Sequence, residues 1–300
     1  MFELPGPFSV SVRAEAEEPV IVDTHIHLWF IATSDLYWLA PEMRAEGGTL
    51  IRNYVVDDFR HAAGAIGIDR AVLVQAWHAV EENMHWLRVA DECDMIGAVV
   101  CWADLTNPRV GEVMDQFASH RKFRGFRACG EDEADSDWLA RDDVRRGIRE
   151  VGSRGNFSLD LLVKMSQLKD VPRLADENPD LPMVLNHLAK PQTSAEGYFE
   201  PWAEAMRLIA DIPNLHVKIS GMLTEAGPSP TADLLRPAVQ FAIDTFGFDR
   251  LMWGSDWPVC LLAGDYKTNF NVIVEAMGKI TDLQREQLLG GNAQRFYHVE

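Results

Sequence analysis

This chain of 300 residues is poor in cysteine, poor in positive charge and free of long apolar runs. Its four cysteines, Cys93, Cys101, Cys129 and Cys260, lack any metal-knuckle spacing. That excludes a thiolate zinc module, and in a domain of this size the cysteines read as reduced thiols of a cytosolic protein. Lysine and arginine number 28 against 46 aspartate and glutamate, a formal charge of −18. Nucleic acid and anionic membranes both need a basic face, so neither is expected as a partner. No stretch approaches the roughly 18 consecutive apolar residues of a membrane span. The N-terminus carries acidic residues with Pro5 and Pro7 but no basic start or apolar core, so no secretion signal is expected and the location is read as cytoplasmic. No internal repeat, low-complexity tract or linker divides the chain, and residues 1–300 are expected to form one domain, with a homo-oligomer compatible with all of this. Three chemical signatures are also missing: a Gly-x-Gly-x-x-Gly after the first strand, a phosphate-binding Gly-x-x-x-x-Gly-Lys-Ser/Thr, and a Gly-x-Ser-x-Gly elbow.

What is present is alternation. Nearly continuous apolar runs predict strands at Val20–His25, Ala71–Ala76, Ile96–Trp102, Phe123–Arg127, Phe157–Val163, Met183–His187, Leu215–Ser220 and Arg250–Ser255. Such runs suit parallel strands covered on both faces. Between them, apolar residues at helical spacing predict helices over Asp57–Ile66, Glu81–Glu92, a stretch opened by Pro108, Trp138–Val151, Ser166–Glu177, Pro201–Ala210 and Leu234–Phe246. Eight strands alternating with helices predict an α/β fold, a (β/α)8 barrel, with a doubly wound open sheet as the alternative. The long connections Leu28–Asn53 and Trp257–Asn269 then fall at the C-terminal rim, where a barrel builds its pocket.

On that reading, polar residues gather at one rim. The first strand ends in Asp23-Thr24-His25-Ile26-His27; side chains alternate along a strand, so His25 and His27 share a face with Asp23 below them. Two adjacent imidazoles suit metal binding or proton handling. The fourth strand brings Arg124 and, past its end, Glu131 and Asp132; the fifth ends in Lys164, the sixth in Asn186 and His187, the seventh in Lys218 and Ser220, the eighth in Asp256. A carboxylate after Leu251-Met252-Trp253-Gly254-Ser255 is costly to bury without a role. Lys218 either faces outward between helices or joins the site, Lys164 is either a helix-cap neighbour or a site residue, and His187 alone would read as a hydrogen-bonded core histidine. Trp29, Trp77, Trp102 and Trp257 lie at or just past strand ends. They either wall a pocket against a sugar or lactone ring or pack beneath the rim loops.

The stretches Val22-Asp23-Thr24-His25-Ile26-His27-Leu28-Trp29, Val74-Gln75-Ala76 with Glu81-Glu82-Asn83, Gly125-Phe126-Arg127, Leu185-Asn186-His187-Leu188-Ala189-Lys190-Pro191, Val217-Lys218-Ile219-Ser220-Gly221, Trp253-Gly254-Ser255-Asp256-Trp257-Pro258 and Asn292-Ala293-Gln294-Arg295-Phe296-Tyr297 resemble, in order, the amidohydrolase superfamily. Within it they resemble the amidohydrolase-2 group, whose members include lactonases for L-fuconolactone, 2-pyrone-4,6-dicarboxylate and 4-sulfomuconolactone. The resemblance implies a (β/α)8 barrel and hydrolysis of a small lactone, from a sugar acid or an aromatic-catabolic intermediate. It implies that Asp256 is the base that activates water, while His25, His27 and His187 polarise the carbonyl directly or through a metal they hold with Asp256. Of the cations Arg127, Arg124 and Lys164 that could anchor substrate, Arg127 matches the motif.

Two departures from the group are visible. The fifth strand offers Lys164 and no histidine, so at most one divalent ion is expected, zinc by ligand type, with its requirement left open, unless Lys164 is carbamylated. Ala128-Cys129 stands where the group often has histidine. A lactone isomerase or a metal-dependent decarboxylase on the same scaffold is the alternative activity, and a non-catalytic binding barrel the alternative class.

Overall fold

Each apolar run becomes a short parallel strand, and the strands hydrogen-bond in sequence order. The computed structural model describes residues 19–44, 48–64, 66–155, 157–227 and 230–299. Its strands are β1 (Val22–Ile26), β2 (Arg70–Val74), β3 (Ile96–Cys101), β4 (Phe123–Cys129), β5 (Ser158–Leu162), β6 (Met183–Leu185), β7 (Leu215–Ile219) and β8 (Leu251–Trp253). The sheet closes just past β8. Ile26 bridges Trp257, Asp256 N donates to His25 O (2.9 Å), and His27 N donates to Trp257 O (2.7 Å). Helices connect consecutive strands, so the chain is the (β/α)8 barrel its alternation predicts. The helix Tyr266–Met277, capped by Asp265 accepting from Thr268 N (2.7 Å), begins inside what sequence pattern suggested was all connection. The N-terminal stretch read for a secretion signal lies outside the described residues. Among the described residues no helix is long and apolar enough to cross a membrane. All four cysteines are buried and free.

The barrel interior is apolar only at its lower end. Val22, Val72, Val74, Ala98, Val100, Val184 and Met252 fill it, and Phe296, Tyr297 and Val299 from the C-terminal segment close it from beneath. Two contacts seat that plug. Asn292 Nδ2 donates to Phe248 O and Leu251 O, both at 2.6 Å, and Gly290 lets the backbone approach Val20 so closely that a Cβ would lie 1.8 Å from its carbonyl oxygen. The Asn292–Tyr297 motif is thus the floor of the barrel.

Strand β1 departs from simple alternation. Its pairing with β2 shifts register between Asp23 and Ile26. Val22 joins the inner floor and His25 also faces inward, three positions on, which a regular strand forbids and a bulge permits. Asp23 therefore does not lie below the histidines. Its Oδ1 accepts from His25 N (3.1 Å) and Ser255 N (2.9 Å), and its Oδ2 accepts from the Tyr266 hydroxyl (2.7 Å) of the outer helix layer.

Alanine for glycine on a helix normally stabilises by about 1 kcal/mol. At Gly290 the sign should reverse. The added methyl has to displace Val20 or the C-terminal plug, at a cost of about 1–3 kcal/mol. Denaturant unfolding of Gly290→Ala checks this, and a variant as stable as the parent would show that the floor is not closely packed.

Candidate active site

Three strand ends deliver the site. The bulge in β1 turns His25 and His27 into the barrel mouth. After β8, Asp256 takes a left-handed conformation (φ 60°), aided by the tight approach of Gly254, whose Cβ would lie 2.9 Å from that of His25. Strand β6 stops at Leu185, two residues short of the expected His187. His187, Leu188, Ala189 and Lys190 then form a left-handed turn, with φ from 52° to 56°. Left-handed geometry costs non-glycine residues roughly 1–2 kcal/mol each. The turn is held by Lys190 N donating to His187 O (2.7 Å), Trp202 Nε1 to Leu188 O (2.7 Å) and the Tyr198 hydroxyl to Lys190 O (3.0 Å). It aims His187 and Lys190, three residues apart, into the same cavity. Gly221 makes room: a Cβ there would sit 2.6 Å from His187 Nδ1.

The ligating atoms converge on Asp256. Its Oδ1 lies 3.4 Å from His27 Nε2 and 3.8 Å from both His25 Nε2 and His187 Nε2, and the two Nε2 atoms of His25 and His27 are 3.2 Å apart. His27 Nδ1 lies 2.9 Å from Val74 O, and His187 Nδ1 lies 2.8 Å from Ser220 Oγ. Burial pushes the histidines toward the neutral form: His187 down to about 3, His27 below its usual value against the pull of Asp256, and His25 well below, with Lys218 adding to the effect. Burial pushes Asp256 up, but His187, His27 and Lys190 outweigh it and hold the carboxyl below its ordinary value. At neutral pH the site is one carboxylate among three neutral imidazoles.

Above it opens a cavity of about 390 Å³. Arg127, buried and donating to Gln75 O (2.6 Å), is on its wall. So are Glu131, Lys190 and Glu225, with Lys190 Nζ 2.6 Å from Glu131 Oε1 and 3.8 Å from Glu225 Oε1. Burial pushes the Lys190 ammonium down, but the two glutamates raise it above its usual value. Tyr37 and Trp38 supply the aromatic wall; the Tyr37 hydroxyl donates to Asp132 Oδ2 (2.7 Å) and lies 2.7 Å from His78 Nε2.

The structure thus brings together His25, His27, His187, Asp256 and Arg127, with Glu131 and Asp132 on the same cavity wall and Ser220 bonded to His187, and it separates Arg124, Lys164 and the four strand-end tryptophans from them. Arg124 is the second residue of β4, so it sits at the opposite end of the barrel, lining a cavity with Arg121 and His298. Lys164 is exposed and precedes the helical turn Met165–Asp170, where its N–H donates to Gln167 Oε1 (2.9 Å). Trp29 and Trp257 are buried with Tyr54 beneath the rim loop, both packing edge-on against it. Trp102 stacks on His78 over a side cavity, and Trp77 packs half-buried against the core. Lys218 points inward and is fully buried against Asp160.

Trp38, Tyr37, Lys190 and Glu225 carried no strand-end signal. The first two lie in the long Leu28–Asn53 connection, which does mark a pocket. Lys190 becomes visible only once the left-handed turn is known.

A family model described as amidohydrolase matches residues 22–299. The chain is 35% identical over 285 residues to an L-fucono-1,5-lactonase of Burkholderia ambifaria, covering 93% of this chain and 96% of that one. A crystal structure of a Burkholderia multivorans amidohydrolase with bound zinc superposes with a TM-score of 0.85 at 32% identity, covering 94% of this chain and all of that one (100%). A putative 2-pyrone-4,6-dicarboxylic acid hydrolase of Pseudomonas putida, at 20% identity and a TM-score of 0.72 over 94% of this chain and 98% of that one, shares the fold. With agreement across nearly the whole barrel, from β1 to the C-terminal plug, the chain belongs to the amidohydrolase family.

Proposed function

We propose that this protein hydrolyses a small, neutral, polyhydroxylated lactone of the sugar-acid type. The observation that carries the reading is Asp256, a buried carboxylate ringed by three imidazoles at the bottom of a cavity. The relative named L-fucono-1,5-lactonase supports it. So does the charge of the cavity. Asp132, Glu131, Glu225 and Asp256 outnumber Arg127 and Lys190 there. That balance disfavours a dicarboxylate and suits hydroxyl groups, which both donate and accept hydrogen bonds.

In this mechanism Asp256 accepts a proton from water as the water oxygen bonds to the lactone carbonyl carbon. Charge moves onto the carbonyl oxygen. Collapse breaks the ring C–O bond, and the leaving alkoxide takes the proton from Asp256, so one water is consumed and an open-chain hydroxy acid is released. A carboxylate held below its ordinary range is a weak base, so the carbonyl has to be polarised in the same step. Buried Arg127 and the Lys190 ammonium offer fixed positive charge at the cavity wall.

The spacing of this donor set matches that of a metal site. His25 Nε2, His27 Nε2 and Asp256 Oδ1 form a triangle with edges of 3.2, 3.4 and 3.8 Å. Tetrahedral zinc with bonds of about 2.0–2.2 Å has edges of about 3.3–3.6 Å. A divalent ion held there would act as a Lewis acid toward the carbonyl.

Asp256→Asn keeps the shape and removes the base, so kcat should fall by about 10²–10⁴-fold while the melting temperature holds. The parent kcat/KM should lose activity only in acid, as pH falls through a value below the ordinary carboxylate 3.8. A limb near pH 6–7 would instead point to an imidazole base, and near-parental turnover in Asp256→Asn would exclude this residue. Product analysis belongs to the same assay: uptake of water supports hydrolysis, an unchanged mass an isomerase, and loss of carbon dioxide a decarboxylase.

Metal content should reach at most about one ion per chain, since the inward acid of β5, Asp160, is already bonded to Lys218 and Asn186. Elemental analysis that finds two ions per chain would overturn this.

Trp38→Ala should lower kcat/KM by roughly tenfold with little loss of stability, as expected for a wall that stacks on the lactone ring. Trp257→Ala should do the opposite and lower stability by about 3–5 kcal/mol. Kinetics and melts on the same samples decide, and an exchange of the two phenotypes would restore Trp257 to the pocket.

A further inference from the structure

The reaction above leaves one buried charge pair without a task. Lys218 and Asp160 are both fully buried inside the barrel, with Nζ 2.7 Å from Oδ2. Asp160 is saturated: its Oδ2 also accepts from Asn186 Nδ2 (2.9 Å), and its Oδ1 accepts from the Tyr297 hydroxyl (2.8 Å). The ammonium lies 5.1 Å from the Tyr297 ring centroid, and among the described residues its other hydrogen-bonding contact is His25 Nδ1, at 3.4 Å.

An ammonium has only donors. His25 Nδ1 therefore accepts, and a neutral imidazole that accepts at Nδ1 carries its hydrogen at Nε2. The next link agrees. His27 Nδ1 faces the Val74 carbonyl, which can only accept, so the His27 hydrogen is on Nδ1 and its Nε2 is a bare lone pair. His25 Nε2–H and the His27 Nε2 lone pair then meet at 3.2 Å as donor and acceptor. Every hydrogen from Asp160 to Val74 has one place.

A histidine that ligates a metal through Nε2 needs that lone pair free, and it donates its other N–H to a carboxylate, carbonyl or water. His27 has the required outer acceptor in Val74 O, its Nε2 lone pair being taken by His25 Nε2–H in the absence of an ion, and His187 can find its outer partner in Ser220 Oγ. His25 cannot, because its outer partner is a donor. We propose that Lys218, held by Asp160, fixes His25 as the Nε2–H tautomer and so withholds one of the three evenly spaced ligands from a metal ion. Lys218 is a positioning residue: it touches neither substrate nor metal, and it makes the His25–His27 pair self-sufficient without an ion. The inference stands on the hydrogen bonding of the site and is independent of which lactone is cleaved.

The direct test is long-range proton–nitrogen NMR on the metal-free, full-length protein labelled with ¹⁵N-histidine, with the His25 signals identified by their loss in His25→Gln. His25 should show a protonated Nε2 and a bare Nδ1, and His27 the reverse. A His25 hydrogen on Nδ1 would overturn the proposal outright. The second test is zinc affinity by competition with a chromophoric chelator. Asp160→Asn combined with Lys218→Met removes the pair without leaving a lone buried charge, and should tighten zinc binding by about 10–100-fold, the range over which partners of ligating histidines act. A folded double variant that binds zinc no more tightly than the parent would also overturn it. If the double variant does not fold, the tautomer measured in the parent decides alone.

Discussion

The barrel is closed by the peptide groups of its own site residues. The seam between β8 and β1 consists of Asp256 N to His25 O, His27 N to Trp257 O, and the Thr24 hydroxyl to Trp253 O (2.7 Å). Asp23 adds a staple from β1 to Ser255 and to Tyr266 on the outer helix. Closing the sheet and assembling the carboxylate with its imidazoles are therefore one event. Any change that opens the seam separates Asp256 from His25 and His27, so the geometry of the site is as rigid as the barrel itself.

That coupling extends downward. Polar groups inside a barrel are costly unless each has a partner. Here they form a column. Tyr297 from the C-terminal plug bonds Asp160, Asp160 bonds Lys218, Lys218 reaches His25, His25 meets His27, and His27 ends on the Val74 carbonyl. The last helix of the chain is thus connected to the mouth of the barrel through side chains alone. Strain is concentrated at the other contributor, the left-handed turn carrying His187 and Lys190, and it persists because Trp202, Tyr198 and Gly221 fix the turn from three sides.

The mouth has a different character from the column. Its charges are held in place but face an open cavity: Lys190 between Glu131 and Glu225, Tyr37 between Asp132 and His78, Arg127 against Gln75 O. Rigid donors and acceptors of both signs, beside the apolar face of Trp38, suit a ring bearing hydroxyl groups better than a flat dianion. The column and the mouth meet at Asp256.

The sequence by itself determined the barrel. Eight nearly continuous apolar runs separated by amphipathic ones admit few other architectures, because parallel strands must be covered on both faces. It also determined the convergence of His25, His27, His187 and Asp256, since each lies at or within a few residues past the end of a strand of a closed sheet. Three things required the tertiary structure. The bulge in β1 sends Asp23 outward, because a register shift leaves no mark in a two-residue alternation. Alternation around Lys218 could not say which side of β7 is the inside, and only the placement of Asp160 across the barrel decides it. The long Leu28–Asn53 connection announced a pocket wall, yet whether Trp29 or Trp38 forms that wall depends on how the loop folds over Tyr54. Local patterns set which residues a strand can present; which of them face one another across a barrel is set by closure, a property of all eight strands at once.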